Sequence, residues 1–460
     1  MSFELTQSQE YAYKAIMNGY NVFLTGHAGT GKSYLLRKVI DDLTNAGKNV
    51  VVAAPTGIAA INVGGTTIHR LFNLFPDVYS DRLPRVPAVL KKTDALFIDE
   101  ISMCRIDLFD YVGRVLQKTH RSIQVVVVGD FCQLPPVMPW KGSNSVYYDE
   151  KDILDRHFGF DVGGGYAFLS PQWRRLNFRP MILKEVIRQS DPHFIEALDQ
   201  VRMGDKRSLQ YFAESSSQSA IPGGIYLAGR NAEVDWINAE KLSAINAESF
   251  TFQAESKGEV TAEDRRVAPE ILELKIGARI MTTVNDASGC YCNGSIGTIS
   301  MLSNEHIFVT MDDGSECEIR RNKWEIIRYE ANEDDAFNTS FKRTVVGEYI
   351  QYPIKLAWAV TIHKSQGQTF SKVNLNPSCW DSGQLYVALS RVKSVDGLHF
   401  TRPIYDKYLF IDPKIAEFYK YLEINEPEDS GIARDMEYES RDTDPSAIHE
   451  SIQFDQESLF

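Results

Sequence analysis

The octapeptide Gly26-His27-Ala28-Gly29-Thr30-Gly31-Lys32-Ser33 sets three glycines, a lysine and a hydroxyl at the spacing that grips a nucleotide's phosphates. Glycines let successive backbone N–H groups turn inward on anionic oxygens, and a helix opening at the end of the loop adds partial positive charge. Lys32 is then placed to bridge β- and γ-oxygens, and the Ser33 hydroxyl to ligate Mg²⁺. Two further polar groups close apolar runs. Ala95 to Ile98 ends in Asp99-Glu100, where Asp99 would hold Mg²⁺ through water and Glu100 would polarise an attacking water. An acid pair at a strand end is usually a solvated turn, but downstream of a phosphate loop in the same sheet it reads as catalytic. Val125 to Val128 leads into Gly129-Asp130-Phe131-Cys132-Gln133-Leu134-Pro135-Pro136-Val137, in which Gln133 is suited to sense a γ-phosphate while the proline pair stiffens the loop.

These groups need a scaffold that presents strand ends side by side. Asn21 to Thr25, Asn49 to Ala54, Ala95 to Ile98 and Gln124 to Gly129 are short apolar runs, each closed by a polar or glycine turn. Continuous apolar strands are buried on both faces, which predicts a parallel sheet with crossover helices. Ser33 to Ala46 and Ile106 to Gln117 carry their apolar residues at helical spacing. A second α/β region starts near Leu183, passes through Gly224 to Ala228, and resumes at Leu356 with Val373 to Leu375 and a helix around Gln384 to Arg391. Between these pieces, short alternating segments split by Asn293-Gly294 and Asp313-Gly314 predict an inserted β-barrel over roughly Pro269 to Tyr349.

The 460 residues carry 49 Lys plus Arg against 62 Asp plus Glu, a formal charge of −13, which at face value opposes a nucleic-acid partner. Residues 423–460 hold twelve acids and two bases, however, so −10 resides there and the preceding 422 residues carry only −3. A near-neutral body can hold a local basic groove. The last 38 residues have the composition of a disordered acidic tail. The six cysteines show no metal-ligand spacing and read as reduced thiols of a cytoplasmic protein. Neither a signal peptide nor a membrane-spanning run is evident, which predicts no membrane partner.

The ordered segments GHAGTGKS, APTGIAA, TTIHRLF, FIDEISM, GDFCQLPPV, LKEVIRQ, LAGRNAEVDWIN, LAWAVTIHKSQGQTF and QLYVALSRVKS resemble the motif series of superfamily 1 DNA helicases. The match runs from about Leu5 to about Leu398 and is similar to the petite integration frequency (PIF) helicases, with RecD and Dda types as relatives. The resemblance implies two RecA-like domains with ATP and Mg²⁺ between them. It places domain 1A at 1–180 with a 1B wedge at about 73–92, domain 2A at 181–268 and 350–422, an SH3-like domain 2B at 269–349, and the tail at 423–460. It also implies a monomeric motor that unwinds DNA 5′ to 3′ in replication, recombination or repair.

Residue by residue, the resemblance assigns Gln9 to adenine and Gly26, Gly29, Thr30, Gly31, Lys32 and Ser33 to the phosphates, with Gly367 close to the nucleotide. Ser33 and Asp99 would serve the metal; Lys32, Asp99, Glu100, Gln133, Arg188 and Arg391 would form the catalytic set, the arginines reaching the γ-phosphate from the second domain. Single-stranded and forked DNA would run over Thr56, His69, Phe72, Pro135, Pro136, His363 and Ser365, with Trp358 as a further stacking surface. Tyr79 is the one obvious aromatic at the tip of the wedge region. Gln456 to Phe460 resembles peptides that dock on the bacterial sliding clamp, and the same tail could instead mimic DNA. Two rivals stay open: a DNA-stimulated translocase that displaces bound protein, and a nucleotide-switched module that recruits partners through its tail.

Overall fold

The structure, a computed structural model, describes residues 4–74, 83–119, 121–138, 150–262, 264–331 and 341–424. Its first sheet has six parallel strands: β1 (Val22–Gly26), β2 (Val50–Ala54), β3 (Thr66–Thr67), β4 (Ala95–Ile98), β5 (Gln124–Val128) and β6 (Arg179–Leu183). They lie in the order β3-β2-β4-β5-β1-β6. The ends of β1, β4 and β5 are therefore adjacent, which brings the phosphate loop, Asp99-Glu100 and the Gln133 loop to one edge. The helix Lys32–Asn45 buries Leu35, Leu36, Val39 and Leu43, a spacing of three and four that covers one face of the sheet. The helix Ile106–Lys118 covers the other, with Phe109 against Trp173 at 5.4 Å.

A second, four-stranded parallel sheet joins Ala359–Thr361, Ile225–Ala228, Val373–Leu375 and Leu398–Phe400. One continuous apolar core serves both sheets, running from Phe23 and Phe109 to Leu227, Leu375 and Leu398. Between the first and second of these strands in chain order, the chain folds antiparallel. Five strands, Arg279–Thr282, Ile296–Leu302, Ile307–Met311, Glu316–Ile319 and Ile354–Leu356, close around Ile280, Ile299, Val309 and Ile319. A long hairpin, Asn322–Ala331 with Phe341–Gln351, is extended by Glu255–Gly258.

Four sequence expectations shift. The antiparallel region is wider than 269–349: Ser249–Gln253 and Glu255–Gly258 precede it and Ile354–Leu356 follows it, the first two being too exposed to leave an apolar run. β6 crosses the expected boundary at 180. The helix Pro413–Ile424, expected with the second sheet, stacks its Phe418 on Phe168 at 4.2 Å in the first-sheet layer. Cys290 and Cys317 are joined as a disulfide, against the reading of six reduced thiols; the chain separates them by 27 residues, and the sheet brings them together. Part of the wedge segment, including Tyr79, and residues 425–460, with Gln456 to Phe460, lie outside the described residues.

Candidate nucleotide site

β1 delivers the loop and the following helix receives it. Gly29 and Gly31 hold φ of +86° and +82°, values that a Cβ makes costly, and a Cβ on Gly31 would stand 2.5 Å from Gln9 Nε2. The Lys32 ammonium donates to the carbonyls of Gly26 (2.7 Å) and His27 (2.9 Å). Burial pushes Lys32 down to about 8, opposed by the charges of Asp130 and Glu100. Ser33 is exposed at the helix start. Gln9 is buried: its carbonyl accepts from Thr6 N (3.1 Å) and its amide donates to Thr30 O (3.0 Å), so it floors the loop. Glu185 holds that floor in place by accepting from Thr6 Oγ1 (3.0 Å) and from Ser8.

At the end of β4, Asp99 is buried, and burial with the neighbouring Glu100 charge raises it to about 7. Glu100 sits at φ +51°, its N–H donating to Asp99 Oδ1 at 2.9 Å. Burial also raises the Glu100 carboxyl; Lys32, Arg391 and a 3.0 Å hydrogen bond from Gln366 oppose it. Gln133 is buried, its N–H on the Asp130 carbonyl at 2.9 Å.

The segment after β6 and the helix Gln384–Ser390 beside the second sheet supply the facing side. Arg188 donates to Ser390 O at 3.0 Å, while the N–H groups of Ile187 and Arg188 donate to the loop carbonyl of Gly29 at 2.9 and 3.3 Å. Arg391, 2% exposed, donates to Val387 O (3.0 Å), Ser390 Oγ (2.9 Å) and Gln368 O (3.4 Å). Burial and then the charge of Arg188 lower Arg391 to about 9. Lys32, Asp99, Glu100, Arg188 and Arg391 therefore share one cleft. Gly367 is at its margin, beside Gln366, with φ +78° and open space around it. Sequence reasoning passed over Gln366, Gln189 and Asp130. All three lie in segments quoted above, but each polar role depends on a partner 72 to 266 residues away.

The expected DNA contacts divide. Thr56, His69 and His363 are half-buried; burial lowers both histidines, so each is held neutral at neutral pH. Phe72 is a correction: at 3% exposure it sets its edge on Tyr111 and presents no face to a base. Pro135, Pro136 and Ser365 are buried too, Ser365 donating to Ile362 O at 2.7 Å. Trp358 packs partly against the antiparallel core. Trp380, not anticipated, is 55% exposed and stacks near His363 with centroids 6.3 Å apart.

A phosphate loop on one parallel sheet, faced by Arg188 after β6 and by Arg391 from a second sheet, defines a two-sheet P-loop nucleotide hydrolase. The chain belongs to the PIF1-like helicase family. That family's model matches residues 4–149, and the ATP-dependent DNA helicase Pif1 of Campylobacter jejuni is 30% identical over 443 residues, spanning 87% of this chain and 94% of the relative. The structure of Bacteroides sp Pif1 in complex with ADP-AlF4 is similar at TM-score 0.80 and 31% identity, covering 92% of this chain and 98% of that one. Bacteroides Pif1 with ADP-AlF3 and ssDNA, at the same identity and coverage, superposes at 0.63.

Proposed function

We infer that this chain is an ATP-dependent DNA helicase that moves 5′ to 3′ on single strands as its two sheets open and close on ATP. The carrying observation is the meeting of Lys32 and Asp99-Glu100 from the first sheet with Arg188, which follows β6, and Arg391 from the second sheet in one cleft. Loop N–H groups and Lys32 would bind the β- and γ-phosphates, and Gln9 would lie under the base. Ser33 and Asp99 are oxygen donors fit for Mg²⁺, and a buried carboxyl raised by its acidic neighbour is a site that a divalent cation relieves. When bound, the ion neutralises phosphate charge. Glu100, aligned by Gln366, orients and deprotonates the attacking water. Gln133 reads the γ-phosphate. Arg188 and Arg391 neutralise charge on the transferred group only when the sheets are close, so hydrolysis releases one sheet from the other.

Single-stranded or forked DNA would cross Thr56, His69 and His363, with Trp380 as a stacking platform indifferent to base identity. We place the protein in the cytoplasm as a monomeric motor for replication, recombination or repair. No helix among the described residues is long and apolar enough to cross a membrane. Gln456 to Phe460 remains a proposed sliding-clamp ligand. Unwinding of duplexes bearing a 5′ or a 3′ overhang, with Lys32→Ala alongside, tests the reading. A 3′ preference overturns the polarity; unwinding by Lys32→Ala overturns the motor.

A further inference from the structure

The helix Pro413–Ile424 follows the last strand of the second sheet, yet its Phe418 and Tyr419 pack into the layer of the first, Tyr419 fully buried. Phe418 lies 4.2 Å from Phe168, 5.7 Å from Phe131 and 5.9 Å from Phe23. The next residue, Tyr419, is 2% exposed, and its hydroxyl lies 2.9 Å from Thr25 Oγ1, 3.0 Å from Phe131 N and 2.9 Å from Asp130 Oδ1. A phenol has one proton to give and two lone pairs to fill. The ionised Asp130 can only accept and the Phe131 amide can only donate, so the phenol proton points at Asp130 while Phe131 N–H and the Thr25 hydroxyl donate to the phenol oxygen. All of its hydrogen-bonding capacity is used.

The three partners are not scattered. Thr25 directly precedes Gly26, the first residue of the phosphate loop, and Phe131 lies two residues before Gln133. Asp130 also accepts from Arg202 Nη2 (3.0 Å), Arg202 Nε (3.3 Å) and Cys132 N (3.1 Å). Arg202, 5% exposed, closes the helix Pro192–Arg202 and sets its guanidinium 4.3 Å from the centre of the Tyr419 ring. Against the pull of burial, the charges of Arg202 and Lys32 and the hydrogen bonds of Arg202 and Tyr419 hold the Asp130 carboxyl at about 2, so it is a fixed anion. A second tyrosine, Tyr386, accepts from the loop amide of Ala28 at 2.9 Å.

We propose that Tyr419 is a positioning residue for ATP turnover: its hydroxyl fixes the spacing between the base of the phosphate loop and the Gln133 loop, and so makes the helix Pro413–Ile424 part of the hydrolytic machinery. The proposal rests on the nucleotide site inferred above. Tyr419→Phe keeps the ring, its packing and its contact with Arg202. It removes one oxygen on which three buried groups converge, and leaves Phe131 N–H and Thr25 without a partner.

The test is steady-state ATP hydrolysis at saturating single-stranded DNA, with rates expressed per nucleotide-binding site titrated by a fluorescent ADP. Tyr419→Phe should lower kcat about tenfold while KM for ATP stays within about twofold, since misplacement acts on the transition state more than on binding. Asp130→Asn should lower kcat similarly. The double variant should be no slower than the slower single, because both remove one link. A purely structural tyrosine would lower the thermal midpoint and the number of titrated sites but leave kcat per site intact; that result overturns the proposal, as does a multiplicative double variant. If Tyr419→Phe does not fold, Thr25→Val cuts one arm of the same network at equal volume and should lower kcat about threefold per site; an unchanged rate overturns the proposal. Lys32→Ala separates the two levels. Its failure to abolish hydrolysis overturns the nucleotide site and this proposal together, whereas an inert Lys32→Ala beside a fully active Tyr419→Phe overturns this proposal alone.

Discussion

Gly29 and Gly47 are a matched pair, because both hold a left-handed backbone, at φ +86° and +78°, and only one has neighbours. An L-residue in that conformation costs about 1–2 kcal/mol. At Gly47, just past the helix Lys32–Asn45, a Cβ would meet nothing within 4 Å, so Gly47→Ala should cost that strain and nothing else. At Gly29 the added carbon would stand 2.5 Å from Arg188 Cβ and 3.3 Å from Gln189 Oε1. Carbon atoms pack at roughly 3.5–4.0 Å, so the Arg188 segment must withdraw by about 1 Å. Its anchor is the Gly29 carbonyl itself, which accepts from Ile187 N at 2.9 Å and from Arg188 N at 3.3 Å, so withdrawal loosens the hydrogen bonds that aim the arginine. A misplacement of about 1 Å in a catalytic group can cost on the order of 100-fold. Gly29→Ala should therefore lower kcat/KM for DNA-stimulated ATP hydrolysis by about 100-fold, and Gly47→Ala by less than about twofold, with similar losses of thermal midpoint from the shared strain. Steady-state kinetics and thermal denaturation on the same preparations measure both. If Gly29→Ala hydrolyses ATP within about threefold of the parent, or Gly47→Ala slows as much as Gly29→Ala, the contact between the phosphate loop and Arg188 does not govern turnover.

Gln366→Ala removes the hydrogen bond that favours ionised Glu100, so the Glu100 carboxyl should rise further. Because the base must be ionised, the acid limb of the kcat/KM profile should move to higher pH; an unmoved limb would show that Gln366 does not tune Glu100. Cysteine titration without reductant should find one rapidly reacting thiol, Cys292, in the native protein and four after denaturation, since Cys104, Cys132 and Cys379 are buried and Cys290 is bonded to Cys317. Six thiols would restore the fully reduced reading of the cysteines. Arg70 pairs with Asp264 at 2.6 Å, joining the first-sheet region to the antiparallel one. Arg70→Ala should speed amide exchange around 249–268 while β1, β4 and β5 stay protected; unchanged exchange would mean that the pair does not hold that junction.

The candidate groups of the first sheet were readable from sequence because each depends on a few consecutive residues: a glycine loop ends an apolar strand, and an acid pair or a glutamine loop ends its neighbour. β1, β2, β4 and β5 announce themselves as unbroken apolar runs because they are covered on both faces and paired on both sides. β6 does not, since it lies at the sheet edge, where Arg179 and Pro180 are tolerated because one side needs no partner. Phe72 shows the opposite failure. A phenylalanine inside Thr66 to Phe72 has the same local sequence whether it faces a base or the core, and only the presence of Tyr111 across the layer decides. The helix Pro413–Ile424 is harder still. Its pattern states that one face is buried, but Tyr419 finds Thr25 across 394 residues, and no periodicity within twelve residues names that partner. The chemistry of the cleft is thus written locally, whereas the distances between its parts are set by contacts such as Glu185 with Ser8, Gln366 with Glu100 and Tyr419 with Asp130. In a motor, the contacts that cross between the sheets, such as Gln366 with Glu100, are the ones that must change during the cycle. Substitutions there should alter how ATP turnover responds to DNA, and substitutions in the locally written groups should abolish turnover outright.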